Sequence, residues 1–215
     1  MPKLTHPMHL DMLQNFKHRK GHCAKLQLPE DAIYGIQWGN PDTEPHLQHV
    51  RDHYLLKYVA EEHAAIEIGP GGGRWTKYML GFGKLYCVDY HQDLLDELRR
   101  TYDLPNMVFI RNHGTDFPGI PVESIDFLFS FGVFVHLDID IIGAYLVNMM
   151  PLLKRSASVV IQYSDKRKAR ARRNSGFSEN NPDMMRTVVN AAGYRVLEED
   201  LDSLPHSSVI RFAIA

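Results

Sequence analysis

The stretch at residues 64–76 reads Ala-Ala-Ile-Glu-Ile-Gly-Pro-Gly-Gly-Gly-Arg-Trp-Thr. A short apolar run enters a loop with four glycines, and a helix is expected to follow at about 73–81. Glycine lets a backbone adopt unusual dihedral angles and approach a ligand closely, and a helix start offers free N–H groups. The stretch therefore predicts a strand, loop and helix unit that binds a nucleoside cofactor.

The spacing of the glycines separates two kinds of cofactor. A dinucleotide loop reads G-x-G-x-x-G, and its third glycine would fall here on Arg74. The observed pattern is E-x-G-x-G-x-G, formed by Glu67, Gly69, Gly71 and Gly73. It resembles motif I of the class I S-adenosylmethionine (SAM) dependent methyltransferases. The resemblance implies that the glycines approach the adenosyl and methionine parts of SAM and that the acid orders the loop near the methionine amino group. An NAD-dependent oxidoreductase is the minor alternative.

An acidic residue follows the next predicted strand. Residues 84–88 are a second apolar run, and Asp89 stands at its carboxyl end. A carboxylate about 20 residues beyond such a loop can accept both ribose hydroxyls of an adenosine. The alternative is that Asp89 caps the helix that begins near Gln92. Tyr90 or His91 is expected either to pack on the adenine or to lie at the rim of the site.

The loop after the third strand, Met107–Arg111, contains the candidates for adenine binding. In the methyltransferases this loop gives a polar side chain to the adenine amino group and an apolar one to the ring. The resemblance points to Asp116 and Phe117, with Asn112 as the alternative polar contact. A simple turn is an equal alternative, because Asn, Gly and Asp are common in loops.

The fourth strand, at 125–131, is almost continuously apolar, as expected for a strand covered on both faces. Ligands lie at the carboxyl ends of parallel strands, so Ser130 and Phe131 are expected to border the transferred methyl group. The chain lacks the Asn/Asp-Pro-Pro-Tyr/Phe motif of many DNA and protein amide methyltransferases, and it has no Pro-Cys pair. It is more similar to small-molecule methyltransferases, although Gly132 stands where many of those have Asp or Asn.

His136 is the candidate catalytic residue. Methyl transfer from a sulfonium mainly requires alignment of the reactants, but a hydroxyl acceptor benefits from losing its proton. An imidazole with a pKa near neutrality suits that role. The alternative is that His136 caps the helix starting near Asp138 or packs under a lid.

Composition indicates one globular domain. The chain has 215 residues, 44% hydrophobic and 23% charged, with a net charge of −2, so no general attraction to nucleic acid or an anionic membrane is expected. No apolar segment resembles a signal peptide or membrane span, which favours a cytoplasmic protein. Two cysteines, Cys23 and Cys87, predict no disulfide framework, and the 12 histidines show no recognised metal-binding spacing.

The predicted fold is α/β, with a seven-stranded, mostly parallel sheet, an antiparallel last strand and helices on both faces. Residues 1–60 are expected to form a helical lid and residues 61–215 the cofactor-binding core. The terminal strand pair is typical of methyltransferases and absent from dinucleotide dehydrogenases. Further helices are predicted at about 8–19, 45–62, 92–102, 138–153 and 181–192, and further strands at 158–163, 195–201 and 207–214.

Two further segments have several interpretations. Trp38, in the lid, would cover the methionine end of SAM, where an aromatic face attracts the sulfonium, or would anchor the lid by packing. Residues 166–173 hold six basic residues in eight. They form a solvated loop, a docking arm for RNA, or a clamp for an anionic small molecule. Asp138 and Asp165 leave a divalent metal as a minor alternative.

Together these patterns predict a SAM-dependent methyltransferase of a small metabolite, with a hydroxyl oxygen as the favoured acceptor. One alternative is methylation of RNA or protein through the basic run. Another is a non-catalytic SAM-binding module. A small-molecule substrate, with an anionic one as an open alternative, is preferred over nucleic acid, and no membrane partner is expected.

Overall fold

The computed structural model describes residues 33–215. The helix expected at about 8–19 and Cys23 lie outside these residues. The described part contains five α-helices and seven strands, with short 3₁₀ turns between them. The helices are α1 (Pro45–Tyr54), α2 (Gln92–Thr101), α3 (Ile139–Met149), α4 (Ala169–Arg173) and α5 (Pro182–Ala191). The strands are β1 (Ala64–Ile68), β2 (Lys84–Asp89), β3 (Met107–Arg111), β4 (Ile125–Ser130), β5 (Leu153–Ser164), β6 (Tyr194–Asp200) and β7 (Ser207–Ile214).

The seven strands form a single sheet in the order β3-β2-β1-β4-β5-β7-β6. Strands β1 to β5 pair in parallel, whereas β7 runs antiparallel to both β5 and β6. The predicted mostly parallel sheet with an antiparallel last strand is therefore confirmed. The chain moves to one side of β1 for β2 and β3 and then crosses to the other side for β4. This reversal leaves a crevice at the carboxyl ends of β1 and β4, where α/β sheets bind ligands.

Helices cover both faces of the sheet, as predicted. Successive residues of a strand point to opposite faces, so β4 sends Phe127 and Phe129 into one apolar cluster and Leu128 into the other. The first cluster also holds buried residues of α1 and α2, and the second those of α3 and α5. The sheet is thus buried on both sides, which explains why β4 is apolar throughout.

The segment after the glycine loop is not the α-helix expected at 73–81. It forms turns and a single 3₁₀ turn, Thr76–Tyr78. Gly73 has φ of +97°, a left-handed value that a right-handed helix cannot contain, and two further glycines, Gly81 and Gly83, close the segment. The expected row of helix N–H groups at the end of the loop is therefore absent from this segment.

Three other boundaries differ from the prediction. The helix expected at 45–62 ends at Tyr54, followed by the 3₁₀ turn Leu56–Tyr58, and α3 gives way at Met149 to the 3₁₀ turn Met150–Leu152. Strand β5 is twice as long as expected, because it begins at Leu153. No helix within residues 33–215 is long and apolar enough to cross a membrane, and the cytoplasmic location stays a prediction.

Candidate functional site

The glycine loop is closely packed on its neighbours. A Cβ on Gly69 would lie 2.0 Å from Cγ2 of Val133, and one on Gly73 would lie 2.6 Å from Cε2 of Tyr102. Both glycines also have positive φ, so a larger residue would meet strain as well as overlap. Gly71 has more space, since a Cβ there would be 3.6 Å from the Tyr34 ring. The loop is therefore held in one shape by β4 and α2 on its buried side.

A pocket with an empty volume of about 830 Å³, including open solvent at its mouth, lies over this loop. Its walls come from the ends of β1, β2 and β4 and from the segment around Tyr34. Seven of the predicted cofactor residues line it: Trp38, Gly69, Gly71, Asp89, Tyr90, Asn112 and Phe131. The other five lie outside the lining: Glu67, Gly73, Asp116, Phe117 and Ser130.

Asp89 is buried at the carboxyl end of β2 and is tied to the loop. Its Oδ1 accepts a hydrogen bond from the His91 amide at 2.8 Å, and the amides of Gly71 and Tyr90 also bond to the carboxylate. Burial raises the pKa of Asp89 to about 6, although the three amides act in the opposite direction. A carboxylate offers about four acceptor positions, so after the three amides about one remains for a ligand hydroxyl.

Glu67 lies beneath the loop, on β1. Its Oε2 accepts a hydrogen bond of 2.6 Å from the hydroxyl of Thr76, which begins the 3₁₀ turn after the loop. The side chain is 2% exposed, and this burial raises the pKa of Glu67 to about 8. Glu67 thus connects the two ends of the loop from below.

Asn112 is placed at the end of β3 with an unused acceptor. Its Nδ2 donates to the carbonyl oxygen of Gly114 at 3.0 Å and to the Tyr145 hydroxyl at 3.1 Å. Its Oδ1 is buried and has no hydrogen-bond partner among residues 33–215. A buried carbonyl oxygen without a partner is costly. The structure therefore leaves an acceptor that suits the amino group of an adenine.

Asp116, Phe117 and Ser130 have partners within the protein. The Asp116 carboxylate accepts a hydrogen bond of 2.6 Å from the His113 amide and so closes a turn. Phe117 is buried in a core cluster, with its ring 5.9 Å from that of Tyr145. The Ser130 hydroxyl donates to a backbone oxygen of β1 at 2.9 Å. These contacts match the turn and packing alternatives.

The segment around Tyr34 closes over the loop. A Cβ on Gly72 would lie 2.6 Å from both the backbone nitrogen and the backbone oxygen of Tyr34, so the two segments touch through their main chains. The Tyr34 ring is buried and meets the Trp38 ring edge to face, with centroids 5.2 Å apart. Trp38 itself is 51% exposed. Its indole is thus positioned at the mouth of the pocket rather than in the core.

A second pocket adjoins the first. It has an empty volume of about 1190 Å³, open solvent included, and His136 is among its lining residues. The two pockets share the four residues Trp38, Arg74, Phe131 and Gly132. Two ligands, one in each pocket, would therefore lie on either side of these four residues, where the chain bends after β4.

Comparison with known proteins shows what the chain is similar to. A family model described as a methyltransferase domain matches residues 65–156, which contain the glycine loop, Asp89 and β4. This part of the chain is thus similar to a methyltransferase domain, and the sheet has the α/β fold of the class I SAM-dependent methyltransferases. No curated protein sequence matches the chain.

Solved structures of methyltransferases share this fold. A SAM-dependent methyltransferase from Aquifex aeolicus is 15% identical, with 80% of this chain and 94% of that chain covered and a TM-score of 0.57. One from Mesorhizobium loti is 10% identical, with 80% and 99% covered and a TM-score of 0.66. The CcbJ methyltransferase from Streptomyces caelestis is 16% identical, with 83% and 99% covered and a TM-score of 0.63. At these identities the likeness establishes the fold alone.

The residues of the first pocket fit SAM. Asn112 offers a buried acceptor that has no partner within residues 33–215 and would suit an adenine amino group, and Asp89 offers a carboxylate that would suit a ribose hydroxyl. Gly69 and Gly71 leave the floor of the pocket without side chains. The described residues hold no cluster of three metal-binding side chains.

His136 ends the 3₁₀ turn Phe134–His136 and is held by its neighbours. Its Nδ1 lies 2.8 Å from the carbonyl oxygen of Gly176. Because a carbonyl can only accept, Nδ1 carries the hydrogen, and Nε2 of the neutral ring bears the lone pair. The ring also meets Phe177 edge to face at 5.3 Å. The N-cap residue of α3 is Asp138, so His136 does not occupy the capping position of that helix.

Arg74 and Tyr145 line the first pocket but are not among the predicted site residues. The sequence pattern marks Arg74 only as the position where a dinucleotide loop would have its third glycine, whereas the structure places it in the lining of both pockets. Tyr145 supports Asn112 from α3, a helix with no motif to mark it. The position of Arg74 directly after the last loop glycine is the signal that could have identified it.

Proposed function

We propose that this methyltransferase transfers the methyl group of SAM to a hydroxyl oxygen of a small metabolite that binds in the second pocket. The observation that carries the proposal is the shared wall between the two pockets, with His136 in the second. SAM, when bound, supplies an activated methyl group on a sulfonium. The protein then has to align the acceptor and remove its proton.

His136 is the proposed proton acceptor. Its Nδ1 hydrogen is engaged by the Gly176 carbonyl at 2.8 Å, which fixes the tautomer with a basic Nε2. The same carbonyl stabilises the ring after it takes up a proton. Phe177 packs against the ring and limits its rotation. These contacts support a general base for the acceptor hydroxyl.

The basic run at 166–173 favours a small acceptor over RNA, because most of its cations already have partners. Arg167 pairs with Asp165 at 3.2 Å, and Lys168 donates to the backbone oxygens of Leu204 and Ser207 at 2.7 Å. Lys166 pairs with Glu179 and Arg172 donates to two backbone oxygens. A docking arm for RNA would present these groups to phosphates instead.

The test begins with a methyl-labelled SAM incubation of small-molecule extracts, followed by identification of the labelled product. We expect a methyl ether. With that acceptor, His136→Ala should lower kcat by about 10²- to 10⁴-fold, the usual contribution of a general base, with SAM affinity unchanged. His113→Ala is the matched control, because His113 is exposed and lines neither pocket.

Several outcomes would contradict the proposal. Full turnover by His136→Ala with intact SAM binding would exclude the base role. Label found only in RNA or protein would exclude the small acceptor. SAM binding without any labelled product would support a non-catalytic module instead.

A further inference from the structure

Arg74 occupies an unusual position for a cation. It lies in the wall shared by the two pockets and is only 7% exposed. Its Nη1 donates to the Gly39 carbonyl oxygen at 3.3 Å. Its guanidinium carbon lies 5.7 Å from the ring centre of Trp75 and 5.5 Å from that of Phe131. The guanidinium is thus surrounded mainly by aromatic faces.

No carboxylate within the described residues forms an ion pair with Arg74. The nearest acids that influence it, Glu44 and Glu67, are engaged elsewhere: Glu44 accepts from the Asn40 amide, and Glu67 accepts from Thr76. Burial dominates and lowers the pKa of Arg74 to about 10. A buried cation without a counterion is costly, so the site favours an anion from outside the described protein.

The position of Arg74 within the first pocket indicates which part of a ligand it meets. Asp89 and Asn112, the candidates for ribose and adenine, follow β2 and β3 on one side of the sheet reversal. Arg74 lies on the other side, where a Cβ on Gly132 would be 3.8 Å from its Nη2. An adenosine bound at Asp89 and Asn112 would therefore leave the amino-acid end of the cofactor to extend toward Arg74.

We propose that Arg74 binds a carboxylate at the junction of the two pockets, and that this carboxylate belongs to the amino-acid end of SAM. A guanidinium can make two parallel hydrogen bonds to a carboxylate, which suits a group that must be fixed in orientation. An acid group on the methyl acceptor is the other source of the same chemistry. That second source rests on the proposed function, whereas the first rests only on cofactor binding.

Calorimetry with SAM and decarboxylated SAM tests the cofactor source. The two compounds differ only in the carboxylate. Arg74→Gln should weaken SAM binding by about 10- to 100-fold, the range for a hydrogen bond to a charged group, and change decarboxylated SAM binding by less than about 3-fold. Arg74→Lys should fall between wild type and Arg74→Gln, because lysine keeps the charge but loses the paired donors.

Two controls keep the result interpretable. Arg173→Gln removes the same charge from an exposed position on α4 that lines neither pocket, and it should bind both compounds as wild type does. Retained binding of decarboxylated SAM and an unchanged melting temperature show that Arg74→Gln is folded. If Arg74→Gln does not fold, the ratio of the two affinities in Arg74→Lys decides the question.

A second measurement tests the acceptor source. The protein saturated with S-adenosylhomocysteine is titrated with 4-hydroxybenzoate and with its methyl ester. If Arg74→Gln abolishes a preference for the acid over the ester but leaves the ratio of the affinities for SAM and decarboxylated SAM unchanged, the carboxylate comes from the acceptor and Arg74 remains its binding residue. If the substitution changes neither the acid-to-ester ratio nor the SAM-to-decarboxylated-SAM ratio, the proposal is overturned. Failure of hydroxyl methylation would not alter the first measurement, which needs no turnover.

Discussion

Glu67 should make the ligand-free protein less stable as the pH rises. In the folded protein its pKa is raised from 4.5 to about 8 by burial. Between these values the folded state binds more protons than the unfolded state, so the free energy of unfolding falls with increasing pH. Above about pH 8 the effect is complete. The full difference corresponds to at most about 5 kcal/mol, at about 1.36 kcal/mol for each pKa unit.

The interval from pH 6 to pH 8 isolates Glu67 from its neighbour. The pKa of Asp89 is also raised, from 3.8 to about 6, so most of the pH dependence that Asp89 adds to the stability lies below pH 6. Over the two remaining units Glu67 should remove about 2 to 3 kcal/mol of stability. Glu67→Gln keeps an oxygen for the Thr76 hydroxyl but cannot ionise. The free energy of unfolding of this variant, relative to that of wild type, should therefore rise by about 2 to 3 kcal/mol between pH 6 and pH 8.

Urea unfolding of wild type and Glu67→Gln at half-unit pH steps measures the difference directly. Other titrating groups, including the histidines, contribute equally to both proteins and cancel. Glu62→Gln, at an exposed position, serves as the control for loss of a carboxylate. A stability difference between wild type and Glu67→Gln that stays constant from pH 6 to pH 8 would refute the argument.

Two further predictions concern the cofactor site. Gly72→Ala should destabilise the protein by about 1 to 3 kcal/mol, the usual cost of overpacking, and weaken SAM binding, because its Cβ would overlap the Tyr34 main chain; urea unfolding and calorimetry measure both, and wild-type values would show that the two segments do not meet as described. Asp89→Asn should reduce SAM affinity by about 10- to 100-fold through loss of a charged acceptor for a ribose hydroxyl; equal affinity in calorimetry would remove Asp89 from the cofactor site.

The strands of the parallel part of the sheet and the position of the first pocket were predictable from local patterns. Apolar runs mark β1, β2 and β4, and an acid directly after β2 must lie beside the loop after β1 because the two strands pair in parallel. Gly69 and Asp89 thus meet at one edge of the sheet. Such predictions need only strand direction and neighbourhood, which the residue pattern largely determines.

The finer features depend on tertiary contacts that residue types do not specify. Asn112 and Asp116 are both polar residues of one loop, but only Asp116 has a local amide, that of His113, to bond. The helix expected at 73–81 fails because Gly73 has a positive φ, and its backbone lies so close to Tyr102 that a Cβ would overlap that ring. Neither fact follows from composition or spacing.

The second pocket contains another histidine, and the surroundings of the two rings indicate which can take up a proton. His206 and His136 both contact the ring of Phe177, each with ring centres 5.3 Å apart. Burial lowers the pKa of His206 to about 4, and the positive charges of Arg74 and Lys168 act in the same direction. A proton on His206 would therefore be unfavourable at neutral pH. His136 donates its Nδ1 hydrogen to the backbone carbonyl oxygen of Gly176. The positive charges near His206 would stabilise an acceptor oxygen as it loses its proton, which is the step that His136 is proposed to promote.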